Sequence, residues 1–325
     1  SRKISEMDLN YNSYYFAGTE NGKIYLGNFT APLQMLVLEN NATKKTKFRI
    51  HFDRTDLPFH AVQIRVMPPY FYAFDGTVSC IYSGLASDWQ AKLKFRSNKF
   101  IDQVIPIDSE RLVFREQNRN GSIIGITDLS TGGSIQYSSS ILQKQIDGIF
   151  DVDGKLLFDA AQKQIIYVYA YRNQFTVADD QLNVKYRGNT IDTIKRAHIK
   201  VATLKDRGQL KLAEPPLLVN KAAAVYENLL FINSSIIGRF ESEEMWTVAS
   251  IIDIYNLSDR SYVTSMYVHD VQKKKMTSFT VEDNRLYALV GNAMVTYNLS
   301  TIITSRYQKN KIKNLSADSR GRSKT

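Results

Sequence analysis

The sequence predicts an all-β fold, a single β-propeller, and three observations carry that expectation. A degenerate repeat of about 43 residues runs along the chain. Each repeat holds three or four short apolar segments separated by polar or glycine-containing turns, the content of one propeller blade. No stretch places three turns of apolar residues at helical spacing, and the nearest candidate, 141–146, is short and interrupted.

The clearest copies of the repeat run alternating apolar residues into Asn256-Leu257-Ser258 and Asn298-Leu299-Ser300, whose asparagines are 42 positions apart. Asp128-Leu129-Ser130 has the same form, and the 128 positions from Asp128 to Asn256 read as three periods. Stepping back from Asn298 lands near strand-to-turn transitions at Asn256, 213–215, 171–173, Asp128, 83–84 and 40–41. Six intervals imply seven blades. Six blades with elaborated loops are the alternative, because about 145–219 is irregular: Asp151-Val152-Asp153-Gly154 signals a hairpin and 202–212 gives two strands without an inner pair.

The inner apolar strands follow in order at 23–26, 70–74 before Asp75-Gly76, 111–114 before Asn120-Gly121, 228–232, and 285–289 before Gly291-Asn292. Outer alternating segments fall at 46–50, 91–95, 134–137 and 262–268. A closed ring of small sheets uses many such units without leaving long unprotected edges.

Composition agrees with one globular domain. At 325 residues the chain is 43% hydrophobic and 23% charged, enough apolar material for a sizeable core. The single cysteine, Cys80, excludes an internal disulfide and lies in an apolar alternation that reads as a buried structural thiol. No run of about 18 apolar residues offers a transmembrane span, and Ser1-Arg2-Lys3-Ile4-Ser5 lacks the apolar centre of a signal peptide. The net charge of +10 gathers partly in Lys309, Lys311, Lys313, Arg320, Arg322 and Lys324, so the expected division is a propeller over 1–306 and a basic tail over 307–325. Elsewhere the basic residues are dispersed and no helix-turn-helix, zinc-finger or RNP pattern accompanies them, so nucleic acid is not an expected partner.

Motifs for chemistry are thin. His51, His60, His198 and His269 show no zinc spacing, and no nucleophile elbow or glycine-rich phosphate loop occurs. The 151–154 and Asp179-Asp180 acidic pairs lack the full calcium-loop series and read as hairpin turns. No catalytic residue, cofactor or metal ligand is assigned. Seven N-x-[ST] sequons, at Asn28, Asn41, Asn120, Asn233, Asn256, Asn298 and Asn314, read as turn chemistry rather than glycosylation. Tyr167, Tyr169 and Tyr171 share one strand face and either fill the space between blades or form a stacking platform for a glycan or peptide. The 241–246 insertion, which is acidic, and the 173–187 region are the least repeat-like segments and the candidate partner surface, since function concentrates in such loops. Glu241, Glu243, Glu244 and Trp246, with Tyr171 and Arg172, are the candidate partner-binding residues. Trp246 is either an interface anchor or a cover for the outer edge of its own sheet.

Tyr167-Val168-Tyr169-Ala170-Tyr171-Arg172-Asn173-Gln174-Phe175, then Arg187-Gly188-Asn189-Thr190-Ile191-Asp192-Thr193, Pro215-Pro216-Leu217-Leu218-Val219-Asn220 and Leu230-Phe231-Ile232-Asn233-Ser234, resemble exported TolB-like β-propellers of Bacteroidota. The likeness spans about 13–305 in overall pattern, and its sharper motifs occupy about 165–260. It implies a cell-envelope location, often with a lipid anchor on a cysteine outside this numbering, and carries over no catalytic residues. The expected function is therefore a non-catalytic envelope propeller docking on a protein partner, as in an outer-membrane complex. The alternative is a carbohydrate-binding or lactonase-like hydrolytic propeller with a metal in its channel.

Overall fold

The computed structural model describes residues 1–39, 44–118, 120–204, 209–238 and 241–308. The expected tail beyond Gln308, with Asn41 and Asn314, lies outside the described residues. After β1 (Arg2–Asp8) come β2 (Tyr14–Glu20), β3 (Lys23–Asn28), β4 (Gln34–Glu39) and β5 (Lys44–Arg49), which form blade 1. A two-residue strand, β6 (His51–Phe52), leads to blade 2, made of β7 (Gln63–Met67), β8 (Tyr70–Asp75), β9 (Cys80–Leu85) and β10 (Gln90–Arg96). Blade 3 holds β11 (Phe100–Pro106), β12 (Arg111–Asn118), β13 (Gly121–Asp128) and β14 (Ser134–Ser138). Blade 4 holds β15 (Gly154–Asp159), β16 (Gln164–Tyr169), β17 (Gln174–Asp179) and β18 (Val184–Asn189). A separate hairpin, β19 (Val201–Leu204) and β20 (Gln209–Leu212), precedes blade 5, whose strands are β21 (Asn220–Tyr226), β22 (Leu229–Ser234), β23 (Ala249–Asn256) and β24 (Ser261–His269). The short helix α1 (Glu243–Val248) joins β22 to β23. Blade 6 has β25 (Met276–Glu282), β26 (Arg285–Val290) and β27 (Ala293–Asn298), followed by α2 (Thr301–Thr304).

The ring closes on the chain's first strand. β1 pairs antiparallel with β27, from Arg2 opposite Asn298 to Asp8 opposite Ala293, and becomes the outermost strand of blade 6. Closure thus ties the two ends of the propeller through main-chain hydrogen bonds and leaves no blade short of a fourth strand. The innermost strands β2, β7, β11, β15, β21 and β25 neighbour one another in a complete circuit around the axis.

The blade count is six, the lower of the two expected numbers, and the favoured seven is corrected. Asp128 and Asn256 are two blades apart rather than three. The additional length is the segment 190–219 with its β19–β20 hairpin, together with the α1 insertion, so loop growth imitated a blade. The acidic insertion lies within the fifth blade, between β22 and β23.

Six apolar clusters fill the six interfaces between blades. Phe71, Tyr82 and Trp89 meet Met35 and Val37 between blades 1 and 2, and Leu26 and Leu38 meet Tyr287 and Leu289 where blade 6 returns to blade 1. Because each middle strand lies between two neighbours, its residues are buried on both faces. In β16, Ile165, Tyr167 and Tyr169 pack toward blade 3, whereas Ile166 and Val168 pack toward blade 5. Two-sided burial explains the continuous apolar runs. It also settles the place of Tyr167 and Tyr169, which fill the space between blades and are not open to a stacking ligand.

The Asx-Leu-Ser repeat has a mechanical role. Asp128 Oδ1 accepts from the Ser130 amide at 2.9 Å, and Asn256 Oδ1 accepts from the Ser258 amide at 2.9 Å, each closing an Asx turn. The following leucine docks on the first hairpin of its own blade: the amides of Leu129, Leu257 and Leu299 donate to the carbonyls of Glu110, Asn228 and Asn284 at 2.9, 3.0 and 2.8 Å. Asn28, Asn233 and Asn256 are buried, which leaves those sequons structural.

Candidate functional site

Antiparallel order sorts the loops of the ring. In every blade the innermost strand comes first, so the second-to-third-strand hairpin and the crossover to the next blade emerge at one end, here called the upper face. The three longest additions all lie there, and all belong to blades 4 and 5. They are 139–153 before β15, 190–219 before β21, and 235–248 with α1 between β22 and β23.

The hairpin 170–173 of blade 4 joins the first two of these additions, and the third meets the second where the Ser235 amide donates to Val219 O at 2.8 Å. Arg172 is fully buried, with its guanidinium 3.6 Å from the Tyr169 ring centroid. It donates to the carbonyls of Asp151 and Gln143 at 3.2 and 2.7 Å and to Gln174 Oε1 at 3.0 Å. The Asn173 amide donates to Ile194 O at 2.7 Å, and the Val219 and Asn220 amides both donate to Ala170 O. Asn220, itself buried, donates through Nδ2 to the carbonyls of Tyr169 and Arg172 at 2.8 and 3.0 Å. Arg172 therefore belongs beneath the surface: its donors are taken by the 139–153 loop, and its place among directly contacting residues is corrected.

Within 139–153, the acidic motif acts as an internal staple. Burial raises the Asp151 carboxyl, but amides from 145–148 converge on its two oxygens and hold it below the usual aspartate range. Gln145 then reaches the next addition, accepting from the Ala197 amide at 3.0 Å and donating to Lys195 O at 3.1 Å.

α1 is anchored at both ends. Ser242 is its N-cap, accepting from the Met245 amide at 3.4 Å. At the other end Lys275, from the loop entering blade 6, donates to the carbonyls of Trp246 and Ala249 at 2.8 and 3.0 Å. A cation on the last carbonyls satisfies orphan acceptors and opposes the negative end of the helix. Glu243 and Glu244 are exposed in the first turn, while Glu241 and Trp246 are half-buried. Glu241 Oε2 accepts from the Gly238 amide at 2.7 Å. Trp246 sits at the upper end of blade 5, where the carbonyl of Val248, at the end of the same helix, accepts from the Asp270 amide just beyond the outermost strand β24 at 2.9 Å. Large apolar side chains stand exposed on the same additions: Ile146, Ile191, Leu217, Ile237 and Val248.

Beside this platform the channel mouth carries an ion-pair cluster that the motif reading did not single out. Arg115 of β12 donates to both carboxylate oxygens of Asp102, to Asp153 Oδ1 at 2.8 Å and to the Tyr167 hydroxyl at 2.8 Å. Asp102 falls at a β-bulge in β11, the device that turns an extra side chain out of a ladder. Burial raises the Tyr171 hydroxyl, with the Asp153 charge adding to the rise and that of Arg115 opposing it. The available signal was a basic residue inside an apolar strand run, as in 111–115.

The structure brings Glu241, Glu243, Glu244, Trp246 and Tyr171 to the same face of two adjacent blades. His51, His60, His198 and His269 are all exposed and fall in separate segments. Two open clefts lie on the rim, about 320 Å³ beside Ser265, His269 and Tyr297 and about 230 Å³ beside Phe48 and Trp89, and neither is lined by Glu241, Glu243, Glu244, Trp246 or Tyr171. No helix among the described residues is long and apolar enough to cross a membrane.

No family model matches the chain, and no curated protein sequence matches it. Solved structures do. A member of the DUF4221 family from Bacteroides vulgatus is 14% identical over 92% of this chain and 96% of that one, with a TM-score of 0.58. A structural-genomics protein of unknown function from Bacteroides thetaiotaomicron is 11% identical over 92% of this chain and 76% of that one, at 0.55. Streptogramin B lyase is 9% identical over 92% and 98% of the two chains, at 0.53. At these identities the likeness establishes the β-propeller fold and nothing narrower.

Proposed function

We propose that this protein is a non-catalytic interaction subunit of the cell envelope, which docks a protein partner on the upper face of blades 4 and 5. One observation carries the reading: all three long additions to the ring stand on these blades, with 139–153 and 190–219 tied to each other and to the 170–173 hairpin and 235–248 joined to them where the Ser235 amide donates to Val219 O, and they carry exposed apolar and acidic side chains. Loops already tied to the scaffold by hydrogen bonds need less ordering on binding, which favours affinity from their apolar contacts. The acidic turn of α1 suits a partner with a basic patch, and Trp246 is placed to act as an anchor. The channel carboxylates Asp102 and Asp153 are both held by Arg115, which disfavours the hydrolytic reading with a channel metal. The envelope location, a lipid anchor and membership of an outer-membrane complex rest on the TolB-like resemblance of 165–260.

The test is affinity isolation from native membranes, followed by measurement of the isolated partner against Trp246→Ala and a Glu243→Lys/Glu244→Lys variant. The expected result is a loss of about 2 kcal/mol or more for the tryptophan change and a slower association for the charge reversal. Unchanged affinity in both variants, with melting temperatures held, removes this surface as the docking site.

A further inference from the structure

We propose that the outermost strand of blade 5, β24, keeps an open edge over 265–269 that takes an extended, uncharged segment of a partner polypeptide as a further strand. The inference goes beyond the docking reading, since it concerns the rim of the ring and stands whether or not the upper face binds anything.

A sheet edge presents unpaired N–H and C=O groups as a template for another chain, and proteins blunt it with charges, short strands or a cover. The outermost strands of this ring follow that rule everywhere but in blade 5. β5 carries Lys44, Lys45, Lys47 and Arg49, and β10 carries Lys92, Lys94 and Arg96. β18 carries Lys185 and Arg187, and β1 carries Arg2, Lys3, Glu6 and Asp8. β14 is uncharged but only five residues long. β24 is nine residues long and holds no lysine, arginine, aspartate or glutamate.

The hydrogen-bond pattern tells which of its main-chain groups are free. The Asp270 amide donates to Val248 O at 2.9 Å, one step beyond the pair in which Ala249 lies opposite His269. Antiparallel pairs alternate between bonded and non-bonded, so His269, Tyr267 and Ser265, opposite Ala249, Ile251 and Asp253, sit in the non-bonded pairs. Their amides and carbonyls point away from β23. The His269 amide already finds a partner outside its sheet, the Tyr297 hydroxyl of blade 6 at 2.9 Å. Among the described residues the outward amides of Ser265 and Tyr267 and the Tyr267 carbonyl have no partner, and Ser265 O accepts only from Thr264 Oγ1 at 3.4 Å.

This edge is also reachable. The open cleft of about 320 Å³ is lined by Ser265, Met266, Tyr267 and His269, together with Lys3 and Tyr297 of blade 6. Successive residues of a strand point to opposite faces, so a cleft that touches Met266 and both its neighbours runs along the edge. The helix α2 lies beside β24 but contributes no residue to the cleft. With blade 6 as its other wall the cleft suits a single extended chain, whereas the edge of a second copy would bring its whole blade with it. Lys3 is already paired with Glu6, so the lining leaves no charge for the partner to match. In strand addition the main-chain bonds supply affinity and alternate side chains supply specificity.

The test uses the full chain and a short, terminally blocked peptide of alternating threonine and valine, followed by fluorescence polarisation and amide hydrogen exchange. The open edge predicts saturable binding and slower exchange of the Ser265 and Tyr267 amides in the bound state. The same peptide methylated on alternate backbone nitrogens should bind about tenfold more weakly or worse. Tyr267→Pro removes an amide that points away from β23 and takes no bond from the ladder, a position where a strand tolerates proline, and binding should fall about tenfold. Tyr267→Lys keeps that amide but blunts the edge with a charge, and it should weaken binding as well. Absence of saturable binding, or binding that neither methylation nor the two Tyr267 variants alter, would overturn the proposal. So would a wild-type dimer in sedimentation that Tyr267→Pro dissociates, because the edge would then belong to a second copy.

Discussion

Arg172 and Trp246 show how differently two neighbouring candidates can behave once folded. Arg172 has its donors on loop carbonyls beneath the upper face, so Arg172→Ala should unlatch 139–153 from the 170–173 hairpin. Leaving buried acceptors without donors costs about 1–3 kcal/mol for each, and denaturant midpoints should show several kcal/mol lost. Trp246 is half-buried on a short helix, and Trp246→Ala should move stability by about 1 kcal/mol or less, in line with surface substitutions. A second test uses Glu282, which is buried on β25 where blade 6 meets blade 1. Burial, reinforced by Asp283 and opposed by the amides of Asn21 and Gly22, pushes its carboxyl up to about 7. The folded chain then keeps a proton that the unfolded chain releases near pH ~4.3. Stability contributed by the protonated form is complete below that value and is lost as pH rises toward 7. Glu282→Gln should therefore gain on the wild type across this window, by on the order of 2 kcal/mol, when melting is followed from pH 4 to 8. A sequence shows a Glu at a strand end; it does not show that a second blade will close over it.

At the scale of elements, the Asx-Leu-Ser turn was legible because local chemistry makes it. The Asx side chain closes its own turn, and the leucine that follows docks on a hairpin less than 30 residues upstream. Its copies are not equivalent. Asn256 is buried and its Oδ1 also accepts from Asn228 Nδ2 at 2.9 Å, whereas Asn298 is exposed at the end of β27. Asn256→Ala should cost about 1–2 kcal/mol and Asn298→Ala much less, as chemical denaturation of the two variants would show. The period itself misled where it was counted across insertions. The hairpin β19–β20 has strand character without a place in any blade, so stepping by 43 residues counted it as one. Strand pairing beyond a hairpin depends on tertiary neighbours, and nothing local distinguishes a fourth blade strand from an inserted one. α1 escaped the sequence reading for a related reason. Six residues make too few turns for a periodic signal, and part of its support comes from Lys275 across the junction with blade 6.

Over the whole molecule, six apolar interfaces hold the ring while polar chemistry differentiates its faces and rim. The fourth strands of blades 1 and 2 expose Lys44, Lys45 and Arg49, and Lys92, Lys94 and Arg96, the second of these edges being covered only at its start, where β6 pairs with Gln90 and Ala91 of β10. Charges on open edges prevent sheet-to-sheet pairing, which explains part of the basic composition without a nucleic-acid partner. The other charge accumulation, in the C-terminal residues, follows Gln308, whose side chain accepts from Ser258 on the lower face. Legibility follows this division: strand content, turn chemistry and the acidic insertion were visible from the sequence. The assembly of 139–153 and 190–219 around 170–173, and the meeting of Arg115 with Asp102 and Asp153, required the ring. The central claim is that partner recognition belongs to the upper face of blades 4 and 5. Site-specific photocrosslinking tests it most directly, with a photoreactive residue at Trp246 or Val248 on that face and at Ile302 on the opposite one, in cells that express the full protein. The account predicts one discrete crosslinked partner from both upper positions and none from Ile302; crosslinking confined to Ile302, or absent from both upper positions while Ile302 reacts, would contradict it.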